Sequence, residues 1–147
     1  MATDEEPRLP TPDEINPFDD LDGRAALEAF LGKSLAEAEA MFREEPLSKL
    51  EDLAWMGSRA FDFYAPAAIR AVIDDPDGID LDSVRALLTA IESRLGPDDG
   101  HGPPPDSIRL LVSSTFRDLA ERFDSLEPSK QDRSLLPRIR RVADTIA

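Results

Sequence analysis

The chain of 147 residues has no cysteine, one histidine, one tryptophan, one tyrosine and three lysines. Without cysteine there are no disulfides, thiolate zinc sites, cysteine-held iron–sulfur clusters or cysteine nucleophiles. A cytoplasmic setting is compatible with that absence and is the expected localisation. A single histidine, His101, cannot build a metal site from several imidazoles. It also sits in the Gly/Pro-rich stretch GPDDGHGPPP, with no partner in sequence to position it as a base. The apolar stretches are interrupted by Arg59, Asp62, Arg70 and Asp74, far short of the ~20 apolar residues of a membrane span. The start of the chain, MATDEEPRLPTPDE, is acidic and proline-rich and does not read as a secretory leader.

Acid dominates the charge, at a formal −14. Nucleic acid phosphates and anionic membranes repel such a surface, so neither is an expected partner, and a basic protein is. Part of the acidity reads simply as solubility. Its distribution is uneven: residues 1–22 carry −7 and residues 130–147 carry +3. Exposed pairs between the two ends would contribute only about 0–1 kcal/mol each.

The length fits one domain. Residues 1–20 read as an acidic, Pro-rich arm, partly disordered or docked, because Pro7, Pro10, Pro12 and Pro17 oppose a helix. Leu9, Ile15, Phe18 and Leu21 are its apolar handles, with Phe18 expected to staple it to the core. The tripeptide Asn16-Pro17-Phe18 matches a short signal read by some eukaryotic trafficking domains, but three residues recur by chance. Residues 21–147 read as a helical domain, with helices expected near 22–31, 34–44, 48–56, 66–73, 82–95, 106–123 and 134–146. Ser34 and Glu37 form a capping box. Gly57 is expected at a helix C-terminus, Pro66 at the first position of a new helix, Asp80 or Asp82 at one N-cap and Asp106 at another. Residues 74–78 read as a turn and 96–105 as a Gly/Pro linker. No alternating strand pattern and no internal repeat is present. The expected fold is all-α, a single-domain bundle of six or seven mostly short helices.

Chemistry is sparse. Two acidic stretches resemble calcium loops, but with Gly78 or Gly23 at position 6 the first and last ligand positions fall on Ile73 and Val84, or on Phe18 and Ala29. Both fail where ligands matter most. There is no phosphate-binding glycine loop and no Gly-x-Ser-x-Gly elbow. No catalytic residue, metal ligand or cofactor is therefore assigned.

The stretch LEDLAWMGSRAFDFYAPAAIRAVI, residues 50–73, holds Trp55, Tyr64, Phe61 and Phe63, punctuated by Gly57 and Pro66. Trp55 and Phe61 read first as core residues at a helix junction. Phe63 and Tyr64 flank an expected break, so at least one should reach the surface and could anchor a partner. The candidate binding residues are Trp55, Arg59, Phe63, Tyr64 and Arg70, with either arginine able to clamp an anion.

Asp52-Leu53-Ala54-Trp55-Met56-Gly57, with Ala60-Phe61, Phe63-Tyr64 and Pro66-Ala67, resembles the Asp-Leu-x-Trp-Met-Gly-Pro-x-Ala-Phe-x-Phe-Tyr-x-Pro-Ala signature of a family of small, uncharacterised bacterial proteins. The segment from Phe30 to Glu39 is similar to what such proteins carry upstream, so the likeness covers about residues 30–73. Ser58 stands where the signature has proline. The resemblance implies kinship and a bacterial origin. It implies no activity.

Three functions fit the sequence. The first is a non-enzymatic interaction protein whose acidic surface meets a basic partner, in an immunity-like or antitoxin-like version. The second is a small-molecule-binding protein or enzyme with a pocket beside residues 55–66. The third is a homo-oligomeric subunit. The sequence specifies no oligomeric state.

Overall fold

The computed structural model describes residues 8–74, 78–95 and 102–146. His101, most of the 74–78 turn and residues 96–101 of the linker lie outside these. Among the described residues the fold is all-helical, with eight α-helices, two 3₁₀ turns and no strand. The expected all-α class is met. The count exceeds the expected six or seven because the arm folds a helical turn.

That turn is α1, Pro12–Ile15. Proline does not prevent it, because Pro12 occupies the first helical position, where no N–H is needed. Thr11 Oγ1 accepts from Glu14 N–H at 3.3 Å, and Glu14 Oε1 accepts from Thr11 N–H at 2.8 Å, a capping box. Ile15 is fully buried and is the staple that Phe18 was expected to be. Phe18 itself is 70% exposed. The bend between α1 and the next helix explains this. Asp19 N–H donates to Asn16 O at 3.3 Å, and Asp19 takes a left-handed φ of 49°. The side chain of Asn16 then brackets Asp20, accepting from its N–H and donating to its carbonyl, both at 3.3 Å. Gly23 faces this bracket so closely that a Cβ there would lie 2.0 Å from Asn16 Oδ1.

Helix α2, Leu21–Phe30, is capped by Asp20 and ends at Gly32, whose φ of +79° suits glycine. Helix α3, Leu35–Glu44, begins at the expected box. Ser34 Oγ accepts from Glu37 N–H at 3.1 Å and Glu37 Oε1 from Ser34 N–H at 3.0 Å. Helix α4, Pro46–Ala54, carries proline at its first position.

Helix α5, Ser58–Ile73, is the central strut and departs most from expectation. No helix starts at Pro66, and α5 runs straight through it. A mid-helix proline removes the hydrogen bond to the carbonyl of Asp62 and costs roughly 3 kcal/mol. Burial offsets that cost. Ala60, Phe61, Tyr64, Ala65, Ala67, Ala68, Ile69, Ala71 and Val72 are all buried, and the alanines let α3, α4, α6 and α7 pack close. Phe61, expected in the core, is there. Gly57 is not a C-terminal cap. It is the N-cap of α5, and its N–H donates to Ile15 O at 3.3 Å, which ties the arm to the bundle.

Helix α6, Leu81–Leu95, is capped by Asp80, which accepts from Ser83 N–H and Oγ–H at 3.3 and 2.9 Å. Helix α7, Asp106–Glu121, has Pro105 at its N-cap. Asp106 is the first helical residue and does not make the expected cap bond. Helix α8 spans Leu135–Ile146. The bundle is built from three intimate pairs, α3 with α5, α4 with α6 and α7 with α8, joined through α5 and α6. Ile108, Val112, Phe116 and Leu119 of α7 form the expected inward stripe against Leu135, Ile139 and Val142. Among the described residues no helix is long and apolar enough to cross a membrane.

Candidate functional site

The expected binding residues do not converge. Tyr64 is fully buried, and its hydroxyl, which has one proton, sits 2.9 Å from both Phe30 O and Lys33 O. Burial, with the nearby charge of Glu37, pushes its pKa up to about 12. Phe63 is half-buried, edge-on to the Tyr64 ring at 4.9 Å between centroids. Arg59 and Arg70 are exposed and already paired, Arg59 with Glu14 at 2.8 Å and Arg70 with Glu39 at 3.6 Å. Glu14 also receives Arg8 at 3.1 Å. Partial burial opposes its charge, but the bond from Thr11 N–H and the two arginines outweigh it and hold its pKa below the ordinary carboxylate value.

Trp55 is the residue that faces outward. Expected in the core, it is the C-cap of α4 and 48% exposed. Its neighbours explain the orientation. The α4 stripe Leu47, Leu50, Glu51 and Ala54 faces Ala86, Thr89 and Ser93 of α6. The α6 residues are small, so the two helices leave a furrow where larger side chains would have filled it. Trp55 lines two hollows of this furrow. One, of about 430 Å³, lies between Leu47, Glu51, Ala86 and Thr89. The other, of about 200 Å³, reaches from Trp55 to Phe18 and Asp20 of the arm, with Gly57, Phe61 and Arg94 behind. Both share Ala54, Trp55 and Ser93. Phe18, Leu47 and Trp55 thus place three well-exposed apolar side chains along one furrow.

Arg94 lines the smaller hollow but is not available to an anion. It is buried and bidentate to Asp62, Nε to Oδ1 at 3.0 Å and Nη2 to Oδ2 at 3.1 Å. With that charge neutralised, the charged side chains left lining the two hollows are Asp20, which caps α2, and Glu51. Arg138, which donates to Thr89 Oγ1 at 3.2 Å, is paired with Glu92. Comparison with protein-family models, with curated proteins and with solved structures finds no match to this chain. The geometry therefore carries the functional argument alone.

The surroundings of the furrow are acidic. Residues 8–57, which form the arm and α2 to α4, hold twelve acids and five bases, whereas residues 106–146 hold seven acids and eight bases. A further hollow of about 300 Å³ between α7 and α8 is lined by Arg117, Arg140, Glu121 and Asp144. Its balanced charges select no ligand of either sign. Among the described residues, no cluster of three or more carboxylates or imidazoles is placed to hold a metal ion.

Spacing alone did not single out Arg94, Leu47 or Ser93. For Arg94 a signal existed. It falls three residues after Ile91 and seven after Leu87, on the apolar stripe of α6, and a charge at such a position calls for a buried counter-charge. No comparable signal marked the furrow, which exists because small residues on α6 meet large ones on α4.

Proposed function

We propose that this chain is a non-enzymatic, cytoplasmic interaction protein that engages a basic protein partner through its acidic arm and α2–α4 half. The observation that carries this reading is the half-exposed Trp55, shared by two hollows whose lining carries the carboxylates of Asp20 and Glu51 while Arg94 is paired with Asp62. An exposed tryptophan with flanking apolar residues is the usual energetic centre of an interface, and opposite charge around it speeds encounter. An immunity-like or antitoxin-like protein neutralising a basic effector is one form of this function. The resemblance of residues 30–73 to a small bacterial family belongs to the same reading and adds no activity to it.

The small-molecule reading is the weaker one. Arg59, Arg70 and Arg94, the cations that would clamp an anionic ligand, are engaged by Glu14, Glu39 and Asp62.

The test is retention of partners by the immobilised full chain, beside a variant carrying Glu51→Lys. The proposal expects a basic protein held at low salt, released at about 1 M salt where the Debye length is ~3 Å, and not held by the variant. Retention indifferent to both salt and charge reversal would refute it.

A further inference from the structure

The furrow has the dimensions and chemistry of a seat for a helix. Its α4 wall presents residues 47, 50, 51 and 54, and its α6 wall presents 86, 89 and 93. Both are stripes of helical period. The seven-residue step from Ala86 to Ser93 gives a trough of ~10 Å, two helical turns, with the Phe18 end beyond it. Two hollows that share Trp55, Ala54 and Ser93 suit two successive apolar side chains on one face of a guest helix, as in helix-in-groove recognition.

Resting on the reading above, we infer that the occupant is a basic amphipathic helix of a partner protein, with apolar residues at i, i+3 or i+4, and i+7 packed against Trp55 and with Lys or Arg facing Glu51 and Asp20. Charge complementarity selects the basic partner, because the Arg94 charge is already neutralised by Asp62. A second copy of this chain is a poor occupant. Its most basic helix, α8, has Leu135, Ile139 and Val142 buried in its own core, and its remaining surface is largely acidic.

The experiment titrates the full chain with capped twelve-residue peptides and follows the emission of Trp55, the sole tryptophan. One peptide carries leucines at i, i+4 and i+7 with lysines elsewhere, a second has alanine for each leucine, and a third has glutamate for each lysine. The inference expects the leucine–lysine peptide to shift Trp55 emission to the blue. It should also bind at least about tenfold more tightly than the alanine peptide, as truncating interface anchors predicts. The glutamate peptide should not bind. Leu47→Glu should weaken the leucine–lysine peptide about tenfold or more, although it adds negative charge, and Leu47 at 56% exposure can change without disturbing the core. Equal, salt-sensitive binding of the leucine and alanine peptides with Trp55 emission unmoved would overturn the helix seat and leave the acidic-face reading standing. Failure of both basic peptides to bind would overturn that reading too. A doubling of mass by light scattering that shifts Trp55 without any peptide would overturn the inference in favour of self-association.

Discussion

Tyr64 and Phe30 meet twice. Their rings lie 5.0 Å apart between centroids, and the Tyr64 hydroxyl is 2.9 Å from the Phe30 carbonyl. The same hydroxyl reaches the Lys33 carbonyl, so one side chain of α5 pins the turn through which the chain leaves α2 and enters α3. Phe42 closes the cluster at 5.4 Å from Phe30. Tyr64 thus acts as a structural anchor of the bundle, whereas Trp55 faces outward.

Tyr64→Phe keeps the ring and removes the only donor shared by these two carbonyls. Chemical denaturation should show a loss of about 0.5–1.5 kcal/mol, the net worth of one hydrogen bond, because the Phe30 carbonyl keeps the Lys33 N–H at 2.9 Å. The wild type should also weaken in alkali. Unfolded tyrosine releases its proton near 10, whereas folded Tyr64 holds it to about 12. Between those values the native state binds more protons, so stability falls as pH rises, by about 1.4 kcal/mol per unit. Melts of Tyr64→Phe across the same range should lack that slope.

The Arg94–Asp62 pair ties α6 to α5 behind the smaller hollow. Arg94→Ala leaves Asp62 without its counter-charge in a largely buried site and should cost about 3–5 kcal/mol in denaturant unfolding. Arg94→Met with Asp62→Leu should cost much less, because both charges leave together. A double change as damaging as the single one would mean that packing, not charge, dominates there.

Glu14 fastens the arm, and its lowered pKa gives the direction of a pH effect. Its contribution is fully present above the unfolded value near 4.3 and is lost as pH falls through the lower folded value. With Glu14 and its arginines partly exposed, that contribution is at most about 1 kcal/mol. The reporter is the Gly57 amide, which donates to Ile15 O. Its hydrogen exchange, corrected for intrinsic rate, should accelerate in acid and in Glu14→Gln. Protection unchanged in both would show that Ile15 packing alone holds the arm.

Much of the fold was legible because local chemistry dictated it. Ser34 and Glu37 announce α3, Gly32 ends α2, and the repeat from Ile108 to Leu119 marks the buried face of α7. What escaped the sequence depended on tertiary neighbours. Pro66 sits mid-helix because the alanine-rich flanks of α5 are buried by surrounding helices. Ile15 replaces Phe18 as the staple because the left-handed turn at Asp19 throws Phe18 outward. Trp55 belongs to neither face by spacing, since it caps α4. The furrow beside it follows from the small side chains of Ala86, Thr89 and Ser93 on α6, about 30 to 40 residues further along and in no local pattern that Trp55 shares.

Quenching of Trp55 fluorescence in the free chain measures the exposure and the surrounding field together. The account predicts an emission typical of partly exposed indole, efficient quenching by neutral acrylamide, and stronger quenching by caesium than by iodide, because carboxylates border the site. A blue emission with little quenching by any agent, or iodide quenching above caesium, would contradict it.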